Sequence, residues 1–444
     1  MYPLLFFLLI TFTIWLTFVL APILNGFLAK HVCSCIYVSG RAVEEVSKTE
    51  LKISLFRLSA FTTDNHTKSV KVSFLGLFSR HAFYHPLSGC TLCKSSSIKP
   101  PSSPPIIRPE VKVKEISTMD YSSAEKQFWE QCAEPWLQTA PSDTLALIIM
   151  QGEKCVVEKY AAGIQKETPL AGWSMAKSVM NALVGIMVKQ GLLQLHDILP
   201  EEVWRTKING REQMTMHHLL QMSSGLPWSE RYWWRSDVTN MLFNSEDVSH
   251  IISGKCSRLA PGTKWQYASG TTNLISKTMR IILGEDYAAF PYRELFAPLG
   301  METALMETDA SGHFVGSSYM LASARDWAKF GLLYAQDGIW RGKRILPEGW
   351  VDYTKRPAEA APFNEYGAHF WLNLGVGQPL QNRKLPNVPS DVFYASGFGG
   401  QRVFVVPSYE LVVVRLGSAH LKEPDFNALL SGVLANLDRS RGSS

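Results

Sequence analysis

The sequence has 444 residues, 46% hydrophobic and 19% charged, which is long enough for two or three folded units with a large core. Its 44 basic residues slightly outnumber its 39 acidic ones, and the formal net charge of +5 is not concentrated in any block of like charge. This pattern argues against a dedicated nucleic-acid-binding surface.

An uncharged apolar segment opens the chain. Residues 1–29 carry no charged side chain, and Leu4–Leu20 matches the roughly 20 apolar residues that cross a bilayer. No lysine or arginine precedes Lys30, so the positive region expected of a cleaved signal peptide is missing. We therefore predict a single-pass signal anchor over residues 1–29, with cleavage near Ala21 or Ala29 as the alternative.

The cysteines bear on the compartment. Of seven cysteines, four form two close pairs, Cys33 with Cys35 and Cys90 with Cys93, which suits one or two disulfides in an oxidising compartment. A glycosylation sequon at Asn65 points the same way. The basic residues after the anchor favour the cytoplasmic side, but a long folded domain can translocate regardless. We predict a membrane protein whose catalytic domain is extracytoplasmic or lumenal.

Three further segments follow the anchor. Residues 30–94 form an N-terminal extension with a strand-like stretch, Val70–Leu75, and no chemical motif that reveals a role. Residues 95–110 are rich in proline and serine, which is typical of an extended linker. The remaining domain covers residues 111–444.

The pattern of this last domain indicates an α+β fold. From Leu192 to Trp340 the pattern is mainly helical, and strands are expected on both sides of that region. We predict one mostly antiparallel sheet, assembled from distant segments, flanked by helices and interrupted by an inserted helical region. The expected strands are Thr144–Met150, Val156–Ala161, Gly367–Asn373, Arg402–Val406 and Leu411–Leu416, and a helix over Asp425–Leu437 closes the chain.

The first chemical motif is Ser174 with Lys177, at the start of a segment that is apolar nearly all round. Residues three apart on a helix share a face, so the hydroxyl and the amine are expected within contact distance. Burial disfavours the ammonium form, so this lysine is a candidate base for the serine. The alternative is a helix cap followed by a solvated lysine, and Ser96–Lys99 matches the same spacing in the proline-rich stretch.

Two later motifs carry complementary chemistry. Tyr267 and Ser269 follow a Pro-Gly turn, and a phenol beside a lysine can relay a proton to a leaving group. Phe393–Gln401 contains three glycines before a strand, which lets a ligand approach backbone amides that can stabilise an oxyanion. The alternatives are a tyrosine that only packs and an ordinary glycine-rich turn.

Taken together and in this order, the three motifs resemble those of the serine hydrolases that include class C β-lactamases, DD-peptidases, related esterases and 6-aminohexanoate-dimer hydrolases. The resemblance covers roughly residues 120 to 440, and the stretches Met216–Leu226 and Ser323–Gly331 are similar to that family too. It implies a β-lactamase/DD-peptidase-like fold and an acyl-enzyme mechanism without a metal or cofactor.

The resemblance also implies roles for single residues. Ser174 would be the nucleophile, Lys177 its base and Tyr267 the partner in proton transfer. The backbone amides of Ser174 and Gln401 would form the oxyanion hole. The residues expected to bind the oxyanion and the substrate are Gln401, Gly400, Gly399, Ser269 and Phe398.

Two departures from the antibiotic-directed members bear on the substrate. Ser269 stands where many members carry asparagine, and Phe398 stands where a lysine or histidine is usual. A cation at that position helps to bind the carboxylate of penicillins, so Phe398 weakens these as substrates. We expect a small, neutral acyl ester or amide as the substrate; the oligomeric state is not indicated by the sequence.

Other classes of protein fit less well. The Gly172–Ala176 stretch lacks the closing glycine of an α/β-hydrolase nucleophile elbow. His217 and His218 are adjacent rather than at helical spacing, which argues against a zinc enzyme. A catalytically silent, membrane-tethered binding or scaffold protein with the same fold is the remaining alternative. The aromatic residues between Trp228 and Trp234 are expected to be core rather than pocket.

Overall fold

The computed structural model describes residues 2–49, 59–95, 122–138, 144–205, 213–232, 234–377, 381–418 and 423–442. The predicted linker over residues 95–110, apart from Ser95, lies outside these ranges, as do Ser96–Lys99 and the predicted domain start at residue 111.

Fifteen strands are present in the described part of the chain, and they form four sheets. In chain order they are β1 (Ser59–Asp64), β2 (Ser69–Phe74), β3 (Leu77–His85), β4 (Gly89–Cys93), β5 (Thr144–Gln151), β6 (Lys154–Tyr160), β7 (Leu170–Ala171), β8 (Leu305–Met306), β9 (Met320–Ala322), β10 (Ile339–Trp340), β11 (Lys343–Arg344), β12 (Trp371–Leu372), β13 (Phe393–Gly397), β14 (Gln401–Val406) and β15 (Leu411–Gly417).

The α-helices of the described residues range from one turn to 32 residues in length. They are α1 (Tyr2–Cys33), α2 (Val43–Thr49), α3 (Ser123–Leu137), α4 (Ala176–Lys189), α5 (Met216–Leu220), α6 (Asp237–Asn244), α7 (His250–Ser253), α8 (Ser269–Leu283), α9 (Ala297–Leu299), α10 (Ala324–Ala335), α11 (Trp350–Lys355) and α12 (Phe426–Gly442).

The central sheet has six antiparallel strands in the order β12-β13-β14-β15-β5-β6. It therefore joins distant parts of the predicted hydrolase domain, residues 111–444, which we call the catalytic region. Strand β15 pairs with β5 from Leu411 opposite Gln151 to Gly417 opposite Thr144. The prediction of one sheet assembled from distant segments is confirmed. The stretch predicted as a strand over 367–373 is shorter than expected, since only Trp371–Leu372 pairs with β13.

The sheet separates two apolar cores because its side chains alternate between faces. On β5, Leu147 and Ile149 belong to one core, which α3 and α12 cover. Ile148 and Met150 belong to the larger core on the other face, together with α4, α8 and α10. Helix α4 is buried on every side from Ala176 to Met187, as its apolar sequence predicts.

The N-terminal extension folds against α1. Strands β1 to β4 form an antiparallel sheet in sequence order, and the predicted stretch Val70–Leu75 corresponds to β2. Helix α1 contacts β2, β3 and β4 on one side and α6 of the catalytic region on another. A disulfide joins Cys33 to Cys90, one cysteine from each close pair, whereas Cys35 and Cys93 are buried thiols.

Helix α1 changes character along its length. Trp15 and Phe18 are 52% and 61% exposed, whereas Leu28 and Val32 are 2% and 0% exposed. Within the described residues, Thr17–Val38 is the segment that is long and apolar enough to cross a membrane. However, 67% of its most apolar 18-residue stretch is buried inside the protein. The second half of this helix is therefore part of the folded body.

A buried ion pair fastens α1 to the catalytic region. The ammonium of Lys30 contacts the carboxylate of Glu307, and both side chains are at most 4% exposed. Ser34 Oγ and the backbone amide of Cys90 also donate to Glu307 Oε1, at 2.9 Å and 2.7 Å. All three partners come from the N-terminal part of the chain, so Glu307 is satisfied only when that part is in place.

Replacing Lys30 by methionine is expected to destabilise the protein strongly, because it leaves Glu307 buried without its counter-ion. Removal of one partner of a buried pair costs about 3–5 kcal/mol, whereas an exposed pair contributes about 0–1 kcal/mol. Denaturant unfolding of the full chain in detergent micelles measures the difference. Lys355→Met, which removes an exposed pair with Asp352, is the matched control. Equal unfolding midpoints for K30M and K355M would contradict a stabilising role of the junction.

Candidate active site

Ser174 lies on a sharp turn immediately before α4. A short 3₁₀ turn, Trp173–Met175, carries the serine, and Trp173 adopts a left-handed backbone with φ of 49°. The amide of Gly172 donates to Met320 O at 2.8 Å, which ties the turn to β9. A Cβ atom at Gly172 would lie 2.3 Å from the Trp327 ring, so only glycine fits there. The turn leaves the Ser174 side chain partly exposed.

Lys177 lies in the first turn of α4 and is 1% exposed. Its Nζ is 3.0 Å from Ser174 Oγ, 3.1 Å from Ser269 Oγ and 2.8 Å from Ser317 O. Burial disfavours the ammonium form and lowers the pKa of Lys177 to about 8, although the charge of Glu230 acts in the opposite direction. A substantial fraction of this amine is therefore neutral close to physiological pH.

Tyr267 completes a group of three around the serine. Lys177 Nζ lies 4.8 Å from the centre of the tyrosine ring. Burial raises the pKa of Tyr267 and the nearby charge of Glu230 raises it further, whereas the nearby Ser174 hydroxyl acts to lower it. The phenol therefore keeps its proton at neutral pH. Trp371 stacks on the ring at 5.6 Å between centroids, which fixes its orientation.

Glu230 is a site residue that sequence reasoning missed. Its carboxylate accepts hydrogen bonds from Ser269 Oγ, from the Ser269 amide at 3.0 Å, from Trp228 Nε1 and from Tyr232 OH at 3.0 Å. Because Ser269 also contacts Lys177, the carboxylate is linked to the lysine through one hydroxyl. Glu230 belongs to no motif that was recognised, and a single acid among aromatic residues gives no sequence signal of this contact.

The glycine-rich turn between β13 and β14 lies beside the serine turn. A Cβ atom at Gly397 would be 2.1 Å from Gly172 O, so the two turns approach each other at backbone level. Gly399 and Gly400 have φ of 78° and 77°, and the buried Arg415 donates to both of their carbonyls, at 2.8 Å and 3.0 Å. This cation holds the turn from inside the protein.

Gln401 and Phe398 occupy different sides of that turn. Gln401 is 2% exposed, and its side chain bonds to Phe398 O and to both backbone groups of Gly417, so the side chain has a structural role. Phe398 is 37% exposed and lies against Trp173 at 5.6 Å and Tyr232 at 6.3 Å between ring centroids. Phe398, Trp173 and Tyr232 thus form an aromatic wall next to the turn that carries Ser174.

The expectation of a purely structural role for the aromatic stretch near Trp228 is only partly met. Trp228 is 6% exposed, but Tyr232 and Trp234 are 40% and 38% exposed. Trp228 Nε1 and Tyr232 OH both donate to Glu230, so these two aromatic residues also support the carboxylate of the site.

The residues considered as metal ligands lie apart from this group. His217 Nδ1 is 3.0 Å from Tyr353 OH, and His218 Nδ1 is 2.9 Å from Thr215 Oγ1, so both histidines have structural partners. A separate group, Asp247, Asp309 and His313, brings its ligand atoms within 4.8 Å of one another. Asp309 already accepts bonds from three backbone amides, of Val248, Ser311 and His313, which accounts for the cluster without a cation.

Comparison with known proteins supports the fold. A curated relative, the 6-aminohexanoate-dimer hydrolase of Paenarthrobacter ureafaciens, is 22% identical over 329 residues, covering 67% of this chain and 78% of its own. A penicillin-binding protein homologue from Caulobacter crescentus superposes with a TM-score of 0.55 at 14% identity, covering 72% of this chain and 99% of its own. A family VIII carboxylesterase gives the same TM-score and identity, with 72% and 100% covered.

The predicted β-lactamase/DD-peptidase-like fold is thus confirmed, with its antiparallel sheet, flanking helices and one N-terminal apolar helix. The family model described as beta-lactamase matches residues 130–432, well over half of the sequence. The chain therefore belongs to the beta-lactamase family.

Proposed function

We propose that this protein is a serine hydrolase that cleaves an ester or amide bond of a small, neutral acyl substrate through an acyl-enzyme. The observation that carries the proposal is the contact of a buried lysine amine with the Ser174 hydroxyl at 3.0 Å, with the Tyr267 ring 4.8 Å from the same amine. A nucleophile within hydrogen-bond reach of a base whose pKa is lowered by burial is the arrangement that covalent catalysis requires.

In the acylation step, Ser174 Oγ forms a bond to the carbonyl carbon while its proton passes to the neutral Nζ of Lys177. The carbonyl oxygen becomes an oxyanion, which the backbone amides of Ser174 and Gln401 would stabilise. When the bond to the leaving group breaks, the leaving oxygen or nitrogen takes a proton from the Tyr267 hydroxyl. Lys177 then gives its proton to Tyr267, so the lysine and the tyrosine are both neutral again once the acyl-enzyme has formed.

In the deacylation step, water attacks the acyl carbon and gives its proton to the same lysine and tyrosine pair. The bond between the acyl carbon and Ser174 Oγ breaks, and Oγ recovers a proton as the carboxylic acid leaves. Ser269 supports both steps because its hydroxyl bridges Lys177 and Glu230, which keeps the amine directed at Ser174.

The preference for a neutral acyl group is supported by the side chains around the serine. Phe398 stands where antibiotic-directed members usually carry a cation, and it packs on Trp173 and Tyr232 instead of a charged side chain. The nearby Arg402 is committed elsewhere, because it bonds Gln401 O at 2.8 Å and Glu423 at 2.6 Å. The relatives include a 6-aminohexanoate-dimer hydrolase and a carboxylesterase, which agrees with amide or ester chemistry.

The proposed location is a membrane, with residues 1–29 as a single-pass anchor and the catalytic domain on the extracytoplasmic or lumenal side. The disulfide between Cys33 and Cys90 supports an oxidising compartment. Cleavage at Ala29 would remove Phe27, whose ring stacks on Trp173 beside the candidate nucleophile at 6.0 Å. Retention of the helix therefore agrees better with the packing than cleavage at Ala29 does, whereas cleavage near Ala21 would leave Phe27 in place.

Labelling with a fluorophosphonate probe separates a hydrolase from a catalytically silent scaffold. We expect the full chain to be labelled covalently and Ser174→Ala to lose the label, because the probe reacts with an activated serine. Ser178→Ala, which changes a buried serine of the adjoining helix α4, is the matched control and should remain labelled. Equal labelling of wild type and S174A, or no labelling of wild type, would contradict the proposal.

Replacing Lys177 by alanine is expected to slow labelling by roughly 10²–10⁴-fold, the usual contribution of a general base. The melting temperature should change much less than for K30M, because the lysine is partly neutral and Ser269 keeps its bond to Glu230. Labelling kinetics and a thermal melt of the same preparation give both values. A collapsed melt with an undiminished labelling rate would reverse the assignment.

The pH profile of kcat/KM tests the link between Glu230 and the base. Activity should rise with pH through the pKa of Lys177, about 8, because only the neutral amine accepts the serine proton. The negative charge of Glu230 favours the ammonium form, so Glu230→Gln should lower this pKa and move the acid limb to lower pH. Glu153→Gln, on the surface hairpin between β5 and β6, is the control. A limb that stays in place or moves to higher pH in E230Q would refute the coupling.

A further inference from the structure

The tip of the hairpin between β2 and β3 presents consecutive apolar residues to solvent. Leu75 and Leu77 are 76% and 60% exposed, and no atom of the described residues lies within 4 Å of a Cβ placed on Gly76. Leu75 and Gly76 have φ of 47° and 77°, so the two-residue loop has the left-handed backbone of a type I′ turn. Asparagine or glycine is favoured in such a loop, so Leu75 opposes both the backbone preference and hydration.

The position of the tip relative to α1 shows what could cover it. Strand β3 follows α1 in the same direction, because Phe78 contacts Phe18 at 4.8 Å between ring centroids and Tyr84 contacts Tyr37 at 6.1 Å. Asn25 Nδ2 also donates to Phe78 O at 2.8 Å, which fixes the strand to the helix. The tip therefore extends past Phe78, toward the half of α1 in which Phe18 is 61% exposed.

We propose that the hairpin tip Leu75–Leu77 inserts into the lipid bilayer that holds the first half of α1, and that the active site thereby takes acyl substrates from the membrane surface. This inference rests on the proposed hydrolase and anchor. Residues 2–20 of the helix give about 28 Å of rise, close to the roughly 30 Å hydrocarbon core, so the level of Phe18 falls at the interface.

The distance from this level to the serine suits such a substrate. Phe27, nine residues after Phe18, stacks on Trp173, and nine residues of helix rise by about 14 Å. The headgroup layer occupies roughly 5–8 Å on each side of the hydrocarbon core. An amphipathic ester that is partly lifted from the bilayer thus reaches the aromatic wall that includes Phe398 and Tyr232. Because both α1 and the hairpin tip are held in the bilayer, the active site cannot tilt away from the membrane surface.

A spectroscopic measurement tests insertion of the tip directly. Full-length protein with Leu75→Cys in a Cys256→Ser background, labelled with the fluorophore NBD, is reconstituted in phosphatidylcholine vesicles. We expect a blue-shifted emission that brominated lipid quenches. Ile198→Cys in the same background is the control, since Ile198 is 62% exposed and belongs to the α4–α5 connection. Identical spectra and quenching at positions 75 and 198 would overturn the proposal.

A pair of substrates tests the functional half of the inference. The variant Leu75→Glu/Leu77→Glu should release butyrate from vesicle-embedded hexadecyl butyrate at least five-fold more slowly than wild type, and should hydrolyse soluble p-nitrophenyl butyrate at an unchanged rate. Leu192→Glu/Ile198→Glu is the matched control and should leave both rates unchanged. Equal effects on the two substrates, or none on either, would overturn substrate uptake from the membrane. Fluorophosphonate labelling of each preparation shows separately whether the hydrolase assignment itself holds.

Discussion

The site depends on the burial of one amine, that of Lys177. Helix α4 is apolar on all sides, and it carries this side chain to a place where a charged ammonium loses its hydration. Three oxygen atoms surround the amine, and the remote carboxylate of Glu230 offsets part of the lost hydration through Ser269. The opposing effects of burial and charge leave the amine close to the point where it exchanges protons at neutral pH. The tyrosine, the serine turn and the aromatic wall are all arranged around that balance.

Much of this arrangement could be predicted from short-range patterns. The spacing of Ser174 and Lys177 follows from the helix period, and the hairpin of β5 and β6 follows from two apolar runs joined by a turn that contains glycine. The adjacent glycines Gly399 and Gly400 indicate a turn, and both have the left-handed backbone that glycine favours. The resemblance to a known family then brought motifs almost a hundred residues apart into one site, and the contact between Lys177 and Ser269 agrees with it.

What could not be predicted depends on contacts between distant segments. Glu230 acts through Ser269, and nothing in its neighbours along the chain indicates that partner. Arg415 lies on β15 and supports the glycine-rich turn through its buried guanidinium. The sequence of that strand shows one charged residue among apolar ones, but it does not reveal the partner of that charge. The apolar pattern of the first residues predicts a helix of membrane-spanning length, yet its second half packs against α6 and Trp173. Local hydropathy cannot distinguish lipid from protein as the surroundings of a helix.

The junction at Glu307 has a consequence for the biosynthesis of the protein. Lys30 is synthesised 277 residues before the carboxylate that it contacts. The face of α1 around Leu28 and Val32 can pack early, because its partners on β2 to β4 follow within about 60 residues. The face around Phe27 must wait for Trp173 and Phe243, and until then other molecules must cover it. Docking of the first helix onto the catalytic region is therefore a late event in assembly.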